Sequence, residues 1–158
     1  MTGPELIDPY LAGIDSLQRT VDGLDAAQLR ARPVPGMWST HEVVCHLADS
    51  EGMFAERMKR VLSEDRPPLL FFDPDLQAAA LAYAERDTAE DVALIGLVRR
   101  QMARILRAQP PTAWQRVGVH SVEGEKTLEQ LVRKAIDHLE HHLRHVRTKR
   151  ELLLHGNN

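Results

Sequence analysis

Cysteine is almost missing from this sequence. Cys45 is alone among 158 residues, so no intrachain disulfide can form and the fold must rest on its core. Aromatic residues are also scarce, at 4%, too few to build stacking platforms for bases. Positive charge is not in excess either: 20 Lys and Arg stand against 23 Asp and Glu, a net charge of −3. A protein that coats nucleic acid needs clustered positive charge to displace counterions, so no nucleic-acid partner is expected. No apolar run approaches the ~20 residues of a membrane helix. The opening "MTGPELIDPYLAG" has no basic stretch followed by an apolar one, so neither a signal peptide nor a membrane association is expected. With a lone cysteine, the expectation is a cytoplasmic protein.

What is present is an ordinary globular balance of 43% apolar and 27% charged residues. The length suits one domain, spanning 1–158, with one core. No repeat or low-complexity segment interrupts it.

Helical spacing dominates. Tyr10, Leu11, Ile14, Leu17, Val21 and Leu24 line one face of a first helix starting near Pro9. "ARPVPG" ends it, because two prolines and a glycine cannot continue a helix. Ser39 and Glu42 form a capping box that opens a second helix, with Val43, Leu47, Phe54, Met58 and Val61 as its apolar stripe and an end near Ser63. Residues 64–75 read as a long crossover, followed by a short helix over Leu76–Glu85. A third long helix begins with Thr88 and Asp91 as cap and stops at Pro110–Pro111. The stretch "AWQRVGVHSVEGEKT" reads as extended, with a hairpin turn at Gly124. Thr127 and Gln130 cap a last helix that runs to about Leu152. The expected fold class is all-α: a four-helix bundle with a long crossover connection and a short extra helix. Such bundles build metal sites from side chains on facing helices.

The chain has eight histidines, and four of them fall within "DHLEHHLRH", Asp137–His145. At ~100° per residue, Leu128, Leu131, Val132, Ala135, Leu139, Leu143 and Val146 share the buried face of the last helix. His142 lies inside that stripe and His138 on its edge. His141 and His145 face outward. His138 and His142 are four residues apart, about 40° in azimuth, so their imidazoles can converge on one ion. A third ligand must come from another element, and His41, His46 and His120 are the candidates. "HEVVCH" is one residue too long for a zinc-protease HExxH: His41 and His46 are about 140° apart and cannot share an ion. Solvated or core-capping histidines at a basic helix end, beside Arg144, Arg147, Lys149 and Arg150, are the competing reading. Cys45 points about 100° from His46 and reads as a packing residue. Glu140 reads as solvated.

Three segments together resemble one known family. "GMWSTHEVVCHLADSE", "RMKRVLSEDRPPLLFFDPD" and "GVHSVEGEKTLEQLVRKAIDHLEHHLRHV" resemble, in order, the corresponding segments of the DinB-like superfamily and its YfiT-like branch. The resemblance implies a four-helix bundle and a divalent metal, nickel or zinc, held by His46, His138 and His142. Asp49, one turn after His46 in "HLAD", is a candidate to bond a ligand, a metal water or the opposite helix, with an exposed helix carboxylate as the competing reading. His120 is a candidate pocket residue. The resemblance further implies a homodimer and a small-molecule substrate. Its activities are transfer of a low-molecular-weight thiol such as bacillithiol, through a metal-bound thiolate, or hydrolysis by metal-bound water. A non-enzymatic, stress-related bundle with a structural or empty metal site is the third reading. Asp137 and Glu51 depart from the branch's pattern and are expected to shape the pocket.

Overall fold

The computed structural model describes residues 1–155. Four long helices form the body: α1 (Ile7–Val21), α3 (Thr40–Ser63), α5 (Thr88–Arg107) and α6 (Leu128–His155). Two short helices, α2 (Ala26–Arg30) and α4 (Pro74–Ala80), lie in the connections. A small sheet of β1 (Pro68–Leu69), β2 (Val117–His120) and β3 (Gly124–Thr127) closes one end. Among the described residues no helix is long and apolar enough to cross a membrane.

The helix starts follow local chemistry. Ser39 Oγ accepts from the Glu42 amide, while Glu42 accepts from the Ser39 amide at 2.7 Å. Thr127 and Gln130 make the same reciprocal pair at the start of α6. The cap of α5 is one residue earlier than the spacing implies. Asp87, not Thr88, accepts from the Glu90 amide, and Asp91 instead pairs with Arg86. α1 also starts earlier, at Ile7, because a 3₁₀ turn over Gly3–Leu6 leads into it. It ends at Val21, so Leu24 lies beyond it. The expected helix over Leu76–Glu85 is broken in two. α4 stops at Ala80, Ala82 adopts φ 49°, and Tyr83–Glu85 forms a 3₁₀ turn.

α1 packs against α5 and α6, and α3 packs against the same two helices. α1 and α3 therefore occupy one diagonal of the bundle, and α5 and α6 the other. The chain crosses a diagonal twice, through residues 22–39 and 108–127. The segment expected to be the crossover, which begins at residue 64, instead links the neighbours α3 and α5. Part of it forms β1, parallel to β2, with Leu69 opposite His120. The hairpin is real: β2 and β3 pair antiparallel, with His120 opposite Gly124. Gly124 has φ +74°, where only glycine is unstrained.

The core has two halves. One gathers Leu6, Tyr10, Phe54, Met58, Met102, Trp114 and Leu131. The other gathers Leu17, Val44, Leu47, Ile95, Leu139 and Leu143. Between them on α3 and α5 sit two charges, Glu51 and Arg99, both fully buried. Arg99 donates to Glu51 from Nε (2.9 Å) and Nη2 (2.8 Å), and to the carbonyls of Tyr10 and Ala135. Tyr10 donates its hydroxyl to the other oxygen of Glu51. The guanidinium lies against Gly13 so closely that a Cβ there would meet Arg99 Nη1 at 2.3 Å.

Candidate metal centre

His46 lies in the second turn of α3 and faces α6 across the helix–helix seam. His138 and His142 come from successive turns of α6. The three rings meet edge to face, with centroids 5.1 Å apart for His46–His138, 4.8 Å for His46–His142 and 4.7 Å for His138–His142. One ring nitrogen from each lies within 4.8 Å of the other two. Nε2 of His46 is 3.1 Å from Nε2 of His138. Imidazole nitrogens bound at ~2.05 Å to one ion lie roughly 2.9–3.3 Å apart, in octahedral or tetrahedral arrangement. The spacing of this pair fits. Trp38 and Phe54 flank the group, 5.3 Å from His46 and 5.5 Å from His138.

The electrostatics point the same way. Burial, reinforced by the neighbouring histidines, pushes His138 down to about 3 and His142 down to about 4. Burial lowers His46 as well, against the opposing pull of Asp49 and Asp75. All three are neutral at pH 7, so their lone pairs are free for an ion. Nδ1 of His46 is buried without a hydrogen-bond partner.

Beside the group is a cavity of about 170 Å³. His46, Ser50 and His138 line it, together with Phe71 and Phe72 from the segment between β1 and α4, and with Arg57 and His120. This is smaller than the ~300–1,000 Å³ of usual ligand pockets, so its occupant is small.

Comparison with known proteins adds a family. Residues 11–146 match the DinB superfamily. The chain belongs to the DinB superfamily. A protein of Oceanobacillus iheyensis, named "Putative metal-dependent hydrolase OB0782", is 26% identical over 145 residues, covering 89% of this chain and 84% of its own. A Bacillus mycoides protein given the same description is 24% identical over 153 residues, covering 94% and 88%. Among solved structures, YfiT from Bacillus subtilis superposes with a TM-score of 0.88 at 22% identity, covering 96% of this chain and 87% of its own. It is described as "a probable metal-dependent hydrolase with an unusual four-helix bundle topology". At that identity the likeness establishes the fold, the four-helix bundle expected from the sequence.

Within this DinB-superfamily fold the remaining sequence candidates go separate ways. His41 turns away from His46, with Nδ1 at 2.7 Å from Thr88 Oγ1 and Nε2 at 2.6 Å from the Tyr83 carbonyl. His141 and His145 are exposed and meet each other edge to face. Cys45 is fully buried, and burial pushes its thiol up to about 12, in keeping with a packing role. Asp49 bonds neither a histidine nor a facing long helix. It accepts from the Tyr83 hydroxyl at 2.9 Å and from Arg86 Nη1 at 2.9 Å, fixing the segment before α5. Glu51 does not shape the cavity; it belongs to the buried Arg99 network. Asp137 is exposed, beside an open groove outside the cavity. Glu140 is half-buried and pairs with Arg147 instead of being fully solvated. Lys149, grouped by sequence with the solvated basic end, is 2% exposed, and burial lowers its pKa.

Two cationic cavity residues escaped sequence reasoning. Lys134 is one, held by Glu123. Arg57 is the other, although a signal existed: it lies 11 residues after His46, about 20° away in azimuth, on the flank of Ser50 and Met53.

Proposed function

We propose that this protein is a metal-dependent hydrolase acting on a small molecule. His46, His138 and His142 would hold the ion, with nickel or zinc as candidates because imidazole suits both. The observation that carries this reading is the convergence of three neutral imidazoles, two of which, His46 and His138, line a cavity. When bound, a divalent ion supplies Lewis acidity there and lowers the pKa of a coordinating water or thiol. Three protein ligands leave coordination positions open, the pattern of catalytic and not of closed structural sites. Because the imidazoles carry no charge, they leave the ion's own charge undiminished. Met53, Phe54 and Phe71 line the cavity with apolar surface and would seat the organic part of a substrate.

Transfer of a low-molecular-weight thiol such as bacillithiol is the second reading, and one observation favours it. Among the described residues the only carboxylate lining the cavity is Glu123, which is engaged by Lys134 and Lys126. No spare base stands beside the histidines to take a proton from water. A thiol ionises near pH 8.5 unaided, so it needs less help.

One assay separates the readings. Metal-loaded protein is offered ester, amide and phosphoester substrates, and model electrophiles, with and without a small thiol. Thiol-independent turnover supports hydrolysis, and thiol-dependent turnover supports transfer. Undiminished turnover by His142→Ala would remove the histidines from either reaction.

A further inference from the structure

Arg57 differs from the other sequestered arginines. Arg99 is paired with Glu51, and Arg86 with Asp49 and Asp91. Arg57 is only 4% exposed, yet among the described residues no carboxylate pairs with it. Its one hydrogen bond runs from Nη2 to the Leu70 carbonyl. Its Nε is buried without an acceptor. A buried guanidinium left uncompensated is costly, whereas a carboxylate or phosphate completes it through charge-assisted bonds. Arg57 lies 11 residues after His46 on α3, about 20° away in azimuth, on the same flank of the helix. Both residues line the same cavity.

His120 lines the same cavity. It is 6% exposed, and its Nδ1 accepts from the amides of Val122 (3.2 Å) and Glu123 (3.1 Å). Nδ1 therefore carries no proton, and in the neutral ring the proton sits on Nε2 as a donor. Burial and the nearby Arg57 both keep the ring neutral. The other cation lining the cavity, Lys134, is already held by Glu123. The cavity is thus lined by the imidazoles of His46 and His138, by the donors of Arg57 and His120, and by apolar side chains.

We infer that the cavity takes a small organic anion, whose oxyanion group is held by Arg57 and the Nε2–H of His120 while the rest of the molecule extends to His46 and His138. The seat itself depends on residues outside the histidine triad; that the other end of the molecule reacts rests on the hydrolase reading. Anionic esters and amides, or thiols carrying a carboxylate, fall in this class, and neutral analogues do not.

The test is calorimetric titration of zinc-loaded protein with succinate, methyl phosphate and the neutral succinamide, repeated after chelation because anions also coordinate zinc. At least one anion should bind in both states and succinamide in neither. Arg57→Gln should weaken anion binding ten-fold or more, with Arg57→Lys intermediate and zinc content unchanged. The two anions distinguish a carboxylate from a phosphate seat. In the wild-type protein the anion should shift the ring signals of His120 and leave those of His41 in place, a readout that survives if a variant misfolds. Equal binding by Arg57→Gln, equal binding of succinamide, no binding of either anion, or an unmoved His120 each overturns the inference. If zinc uptake fails while the anion still binds through Arg57, the seat stands and the hydrolase reading falls.

Discussion

Replacing Glu51 by leucine would strand a guanidinium in the middle of the bundle. Arg99 is wholly buried and gives two hydrogen bonds to Glu51, at 2.8 and 2.9 Å. Tyr10 would lose its acceptor as well. Breaking one partner of a buried ion pair typically costs about 3–5 kcal/mol, because the survivor keeps its charge without compensation. For a domain of this size that corresponds to a fall in Tm of roughly 6–20 °C. Replacing both partners, in Glu51→Leu with Arg99→Met, removes the stranded charge and should recover most of the loss. The carbonyls of Tyr10 and Ala135 lie inside helices and keep their backbone partners. Urea unfolding of the wild type, both single variants and the double variant gives the full cycle. A Glu51→Leu protein as stable as wild type, or a double variant no better than the worse single, would refute this reasoning.

Other perturbations follow from the same contacts. Gly13→Ala should destabilise by about 1–3 kcal/mol through overpacking against Arg99 and Leu139, read by urea unfolding; a neutral result would contradict the close approach. Asp49→Asn should loosen the segment around Tyr83 and Arg86 by about 1–3 kcal/mol, read as faster amide exchange there, because it removes a charged acceptor from both residues. Burial holds His138 and His142 at about 3 and about 4, below the ~6.5 of a free imidazole. The unfolded chain therefore binds more protons between these values. Stability of the metal-free protein should be full above about pH 6.5 and decline toward pH 4, by up to about 1.4 kcal/mol per pH unit for each histidine. Unfolding at pH 7 and pH 5 checks this, and His142→Leu should show the shallower decline.

Periodicity carried most of the fold. The stripes of α1, α3 and α6 are continuous in sequence, and the capping boxes at Ser39 and Thr127 are local, so both survive without tertiary information. The division of "DHLEHHLRH" into inward His138 and His142 and outward His141 and His145 was legible for the same reason: a helix fixes azimuth. What was hidden depends on packing between elements. The order of helices around the bundle is set by which faces meet, and no single segment records it. β1 is two residues long and exists only because β2 passes beside it. Glu51 reads as a pocket residue and Arg99 carries no signal of its own until the fold seals both inside as a pair. Lys149 is the same case at the end of α6. Asp49 is held by residues 34 and 37 positions further along the chain, a distance no motif spans.

The account turns on three histidines from two helices sharing one ion. The direct measurement is metal content, by elemental analysis of protein purified without a histidine tag and then equilibrated with nickel or zinc. The account predicts about one equivalent in the wild type and its loss in each of His46→Ala, His138→Ala and His142→Ala, with folding retained and His141→Ala unaffected. A wild-type protein that takes up no metal, or variants that keep a full equivalent, would contradict it.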